Sequence, residues 1–315
     1  MNSSLPNPDA NRYALARTSS EMQRSGGDRS NLGVRSEFAR PPAFTAILPT
    51  MPRVRAHWSL LVATRRALRD EAPWAYAAIQ RAPQAFFAGG VAPDAIRLFA
   101  GVDKVASHFY DDKDPSSWDV NGIVDAFLAR GFHNLLPPSD DASRAWCLGY
   151  LSHVLADVAN WRHLQAHLPP FPAERAAHHG VWLIADQLPV DDVDRGLDVS
   201  QVPWAAAPPW VEASAVERLL TALVTRVLPQ RDPWLAEATY VRHDRDLMQA
   251  EPLNLPSETA DPHLVAVRDR YMLEWQASIA RARELVPSEA WAVFELAAVE
   301  GSVHAIREFG RRVGV

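Results

Sequence analysis

Downstream of Met51, apolar residues recur at helical spacing through most of the chain. In RAHWSLLVATRRALRDEA, Trp58, Leu61, Leu68 and Ala72 share one face, and Pro73 ends or kinks the helix they define. The same reading predicts helices near 56–72, 74–81, 83–88, 94–109, 118–130, 142–166, 174–187, 212–228, 232–250, 261–285 and 288–313. Prolines gather between these blocks, at LLPPSDD, LPPFPAE, VPWAAAPPW and ELVPSEAW. Ser139 or Asp140 is placed to cap the helix near 142, and Ser288 the last one. Segments with strand character, VRSEF and DVSQVPW, are too short and polar to build a sheet. The expected fold is mainly α, a helical bundle.

Residues 1–50 have little periodicity and read as a disordered extension, or as a non-native segment ahead of a start at Met51. Residues 51–187 form the expected helical core, 188–211 a Pro-rich linker or loop, and 212–315 C-terminal helices completing the bundle. A net charge of −6 argues against an extended nucleic-acid surface. A single cysteine, Cys147, excludes an intramolecular disulfide and a Cys-rich zinc finger. No apolar run approaches the roughly 20 residues of a membrane span, and AFTAIL is too short for a signal peptide, so a cytoplasmic protein is expected.

Six residues with metal-ligating side chains punctuate this apolar background: His57, Asp94, His108, His153, Asp157 and His163. His153 and Asp157 are four apart, so one helix face presents an imidazole and a carboxylate together, a pairing suited to a divalent cation. The carboxylate sits among Leu148, Leu151, Val154, Leu155 and Val158, where it is costly unless paired or metal-bound. Gly89, Gly90 and Pro93 predict a turn that sets Asp94 at a loop-to-helix junction, where an Asp is also an ordinary helix cap. Trp118, Trp146, Trp161, Trp182, Trp204 and Trp210 either pack the core or line a headgroup pocket.

Four segments together resemble the zinc-dependent phospholipase C family, whose helical fold is shared with P1-type nucleases. They are RAHWSLL, FFAGGVAPD, SHFYDD with its His fourteen residues after Asp94, and LGYLSHVLADV followed by His163 ten residues after His153. The resemblance implies a cleft holding up to three zinc ions. Asp94, His108, His153 and Asp157 would hold one, Asp157 would bridge to a second held partly by His57, and His163 would belong to a third with His178 or His179. Asp94 would double as general base for the attacking water. The family's last ligand pair, a His and a Glu four residues on, has no counterpart, since Trp182 and Leu183 stand at those positions. One or two ions are therefore expected. The implied function is a phosphoesterase acting on a phosphodiester such as a phospholipid, with transient contact at a membrane surface. The alternatives are a nuclease-like hydrolase on the same scaffold, or a non-enzymatic helical protein with a structural or vestigial metal site.

Overall fold

The helical periodicity becomes ten α-helices in a computed structural model, which describes residues 54–132, 140–170, 173–188, 197–228 and 262–315. They are α1 (Val54–Glu71), α2 (Pro73–Arg81), α3 (Pro83–Ala100), α4 (Lys104–His108), α5 (Val120–Phe132), α6 (Asp141–His163), α7 (Arg175–Ala185), α8 (Ala213–Ala222), α9 (Pro262–Leu285) and α10 (Ser288–Val313). Among the described residues there is no strand. The expected N-terminal extension, the first part of the linker and the expected helix at 232–250 lie outside the described residues. All the described residues belong to one compact unit, Ala46–Val315.

The bundle is arranged around α6. Its residues Ala145–Asn160 are buried without a break, as a helix apolar on all sides must be. Asp140 starts it, its carboxylate accepting from the Ser143 N–H. α3 lies along α6 in the most extensive helix contact of the fold, and α10 covers another side. The glycines explain how close α3 comes. A Cβ on Gly89 would stand 2.1 Å from the Trp146 carbonyl oxygen, and one on Gly149 would stand 1.9 Å from that of Phe86. The backbones touch at these points, and only glycine fits.

This close packing overturns the expected break at 89–93. α3 runs unbroken from Pro83 to Ala100 with Pro93 inside it. Gly89 and Gly90 make room for neighbouring helices and turn nothing, and Asp94 is a mid-helix residue with no capping role. The break comes later, at Gly101 in the left-handed region (φ 68°). Asp103 then caps α4 by accepting from the Ala106 N–H. The last helix also differs: Ser288 is its first residue and caps nothing, because Pro287 stands at the cap position.

The C-terminal helices pack onto the core. α8 lies on α3, α10 on α6 and α1, and α9 on α7. Val202 and Val211, from the described part of the expected linker, join the main core. Trp146 and Trp182 are buried in the core, and Trp210 packs against Phe109, Phe127 and Tyr150. No helix among the described residues is long and apolar enough to cross a membrane.

Candidate metal centre

Four helices bring five ligating side chains together: His57 from α1, Asp94 from α3, His108 from α4, and His153 and Asp157 from α6. Two overlapping triads have all their ligand atoms within 4.8 Å of one another, His57–Asp94–His153 and His108–His153–Asp157. The five side chains are at most 6% exposed.

The proton positions follow from the partners. His153 Nδ1 lies 2.7 Å from the carbonyl oxygen of Gly90, which can only accept, so Nδ1 carries the proton. Ser107 Oγ gives its single proton to the Lys104 carbonyl at 3.1 Å, so it accepts from His108 Nδ1 at 2.7 Å. Both imidazoles therefore turn an Nε2 lone pair inward. Burial pushes His108 down to about 4, against the pull of Asp94 and Asp157. Burial also takes His153 to about 4, with His57 stacked on it at 3.8 Å adding to the effect. Both are neutral at pH 7.

These lone pairs face carboxylates. His108 Nε2 is 3.5 Å from Asp94 Oδ1 and 3.4 Å from Asp157 Oδ2, and His153 Nε2 is 3.9 Å from Asp94 Oδ2. His57 Nε2 approaches Asp157 from its other oxygen, at 3.3 Å from Oδ1. Burial raises the Asp94 carboxyl, and the Arg97 guanidinium draws it down. Acceptor thus meets acceptor in a dry setting, which is unfavourable unless a cation lies between them.

The spacing fits a metal better than direct hydrogen bonds. A charge-assisted hydrogen bond would close to about 2.7–2.9 Å. Donors around a tetrahedral zinc, at about 2.0–2.1 Å from it, lie roughly 3.3–3.4 Å apart. Among His108, His153, Asp94 and Asp157, two of the three separations are close to that value, and a small rotation of Asp94 would bring in the third. His108, His153, Asp94 and Asp157 thus form a quartet of two nitrogens and two carboxylates. The Nδ1–H bonds to Gly90 and Ser107 are the outer supports that orient metal-binding imidazoles. Each imidazole has only one lone pair left, so the quartet suits one ion.

The structure does not bring His163 and His178 to this cluster, and neither belongs to a ligand triad. His163 ends α6, six residues beyond Asp157 and part-exposed. His178 is held by Gln165 Oε1 at 2.6 Å and by the Pro169 carbonyl at 2.9 Å, so both its ring nitrogens face other partners.

Three groups beside the quartet escaped the sequence reading. Tyr110 donates to Asp157 Oδ2 at 3.1 Å, and burial raises its phenol well above 10, so it remains a donor. Lys104 Nζ stands 3.9 Å from the same oxygen and 2.7 Å from Asp112 Oδ1. Asn160 is fully buried on the α6 face shared by His153 and Asp157, and neither side-chain polar atom is hydrogen-bonded among the described residues. A signal was present for Lys104, which precedes His108 by four residues and so lies on the same helix face. No family model, curated protein or solved structure matches the chain.

Proposed function

We propose that the chain is a zinc-dependent phosphoesterase that hydrolyses a phosphodiester with metal-activated water, on a bundle of the phospholipase C and P1 nuclease type. One observation carries the reading: His108 and His153 each hold their proton on Nδ1 and aim Nε2 at ionised carboxylates across 3.4–3.9 Å. Two imidazoles with two carboxylates suit zinc. Zinc in such a site supplies Lewis acidity and lowers the pKa of a bound water to about 7. The chain's own residues do the rest. Tyr110 fixes the orientation of Asp157. Asp94, with the Arg97 guanidinium acting on it, is the carboxylate placed to accept a proton from the attacking water.

The depth of the cluster favours a second reading, a structural zinc that pins α3, α4 and α6 together. With at most 6% of any ligand side chain exposed, a substrate has little direct access. Metal analysis and turnover separate the two. Protein purified without chelator is expected to carry about one zinc per chain, lost in His153→Ala. It should hydrolyse bis(p-nitrophenyl) phosphate in a reaction stopped by chelator and restored by zinc. Zinc without turnover of any diester would leave the structural reading. A chain that takes up no zinc would overturn both.

A further inference from the structure

Lys104 is a buried cation at the edge of the centre, ion-paired with Asp112 at 2.7 Å. Its Nζ is buried and, despite the 2.7 Å approach to Asp112, makes no hydrogen bond of ordinary geometry among the described residues. An ammonium carries three donors; Asp112 faces one of them, and leaving the others unmet in a site shielded from water is costly. The walls are aromatic: Nζ stands 5.2 Å over the Tyr110 ring and 5.8 Å over that of Trp161. These faces favour a cation but cannot replace an oxygen acceptor.

The choice of residue is also informative. Lys and Arg total 32 in this chain, and only two are lysines, Lys104 and Lys113. Where arginine is otherwise the rule, the centre holds a compact point charge. The local charge gives it a ligand. Asp94, Asp112 and Asp157 against Lys104 and Arg97 leave one negative charge. A divalent ion in the quartet inverts this to one positive charge, so the loaded centre attracts an anion. The side chains of Lys104 and Asp112 are 16% and 18% exposed, more than any quartet member, so this pair marks the side of the centre nearest solvent, with the ammonium itself just beneath the surface.

We infer that Lys104 binds a non-bridging oxygen of a tetrahedral oxyanion beside the metal, in the substrate a phosphoryl group. The inference deepens the zinc phosphoesterase reading and rests on it for the charge of the loaded centre.

The test uses the full chain loaded with zinc and inorganic phosphate as the probe. Calorimetry and zinc analysis are run on wild type, Lys104→Met and Lys104→Arg. Zinc content should be equal in all three. The phosphate Kd should rise about 10- to 100-fold in Lys104→Met, as for loss of a hydrogen bond to a charged group, and recover in part in Lys104→Arg. A second measurement needs no variant. Phosphate should slow acetylation of Lys104 in the wild type and leave Lys113, an internal control, unchanged. Wild type that binds no phosphate, equal affinity in Lys104→Met with zinc retained, or equal slowing at both lysines would overturn the inference. Failure of the metal reading shows separately, as absence of zinc from the wild type. Phosphate binding that still depends on Lys104 would then keep the anion site alone.

Discussion

Replacing Asp157 with Asn tests the quartet at its most contacted member. The exchange keeps shape and removes charge at a group that receives Tyr110, faces His57 and His108, and has Lys104 at 3.9 Å. Structural zinc sites bind with about 10–16 kcal/mol, so one of four ligands accounts for about 3–4 kcal/mol, roughly a 10²- to 10³-fold loss of affinity. At zinc a hundredfold above its Kd, the wild type gains about 2.7 kcal/mol of stability. For a chain of this size that raises Tm by about 5–11 °C. At the same zinc concentration Asp157→Asn should gain less than about 0.4 kcal/mol, a shift of about 1 °C. Thermal unfolding at pH 7 with and without zinc reads this directly. An equal zinc-induced shift in both proteins would refute the assignment of Asp157 as a ligand.

Three further outcomes are expected. In zinc-free protein, His108 and His153 titrate near 4 in the fold against about 6.5 unfolded, so the unfolded chain binds more protons between those values. Their contribution to stability is full above about pH 6.5 and falls away toward pH 4; denaturant titrations at stepped pH should show the decline, and flat stability across that window would contradict the two burials. Gly149→Ala places a Cβ 1.9 Å from the Phe86 carbonyl oxygen and 2.8 Å from the Gly90 N, so it should cost at least about 1–3 kcal/mol and weaken zinc binding by parting α3 from α6. A variant as stable as wild type would show that the helices are not in backbone contact there. Cys147 is buried and its thiol is pushed up by burial, so a thiol reagent should label it only as fast as the chain unfolds. Rapid labelling of native protein would contradict that placement.

Much of the centre was legible in the chain because its strongest element is local. His153 and Asp157 are one helical turn apart, and helical spacing alone puts them on one face. His57, Asp94 and His108 come from three other helices, and the match to a family pattern singled them out where periodicity could not. Asp94 joins the cluster from the middle of α3, not from the turn the sequence suggested. Gly-Gly followed by Pro reads as a turn in one dimension, whereas these glycines answer to Trp146 and Leu61 across helix contacts. Lys104 and Tyr110 were passed over because lysine and tyrosine are ordinary at surfaces and in cores; the i, i+4 spacing of Lys104 to His108 was a faint signal, and convergence on Asp157 marks both. His163 has the family gap from His153 but ends α6 beyond the cluster, and His178, whose expected Glu is missing, is held by Gln165 and the Pro169 carbonyl.

The tautomers support the reading of the cluster as a group that could hold a cation over that of a salt-bridge network. Were the imidazoles protonated, each Nε2–H would close on its carboxylate, and burial would favour the shortest contact. Instead burial holds both rings neutral, Gly90 and Ser107 take the Nδ1 protons, and the Nε2 atoms stand 3.4–3.9 Å from the carboxylates, longer than a charge-assisted hydrogen bond. The supports that enforce this belong to the helix packing itself. Gly90 lies on α3 where Gly89 and Gly149 bring α3 and α6 into backbone contact, so its carbonyl is delivered to His153 by the same glycines that close the core. Substitutions that loosen this contact should therefore lower zinc affinity before they unfold the chain, a coupling readable by measuring zinc content of Gly149→Ala at temperatures where it remains helical. Full zinc occupancy in that variant would separate the metal centre from the packing and remove the physical basis of its preorganisation.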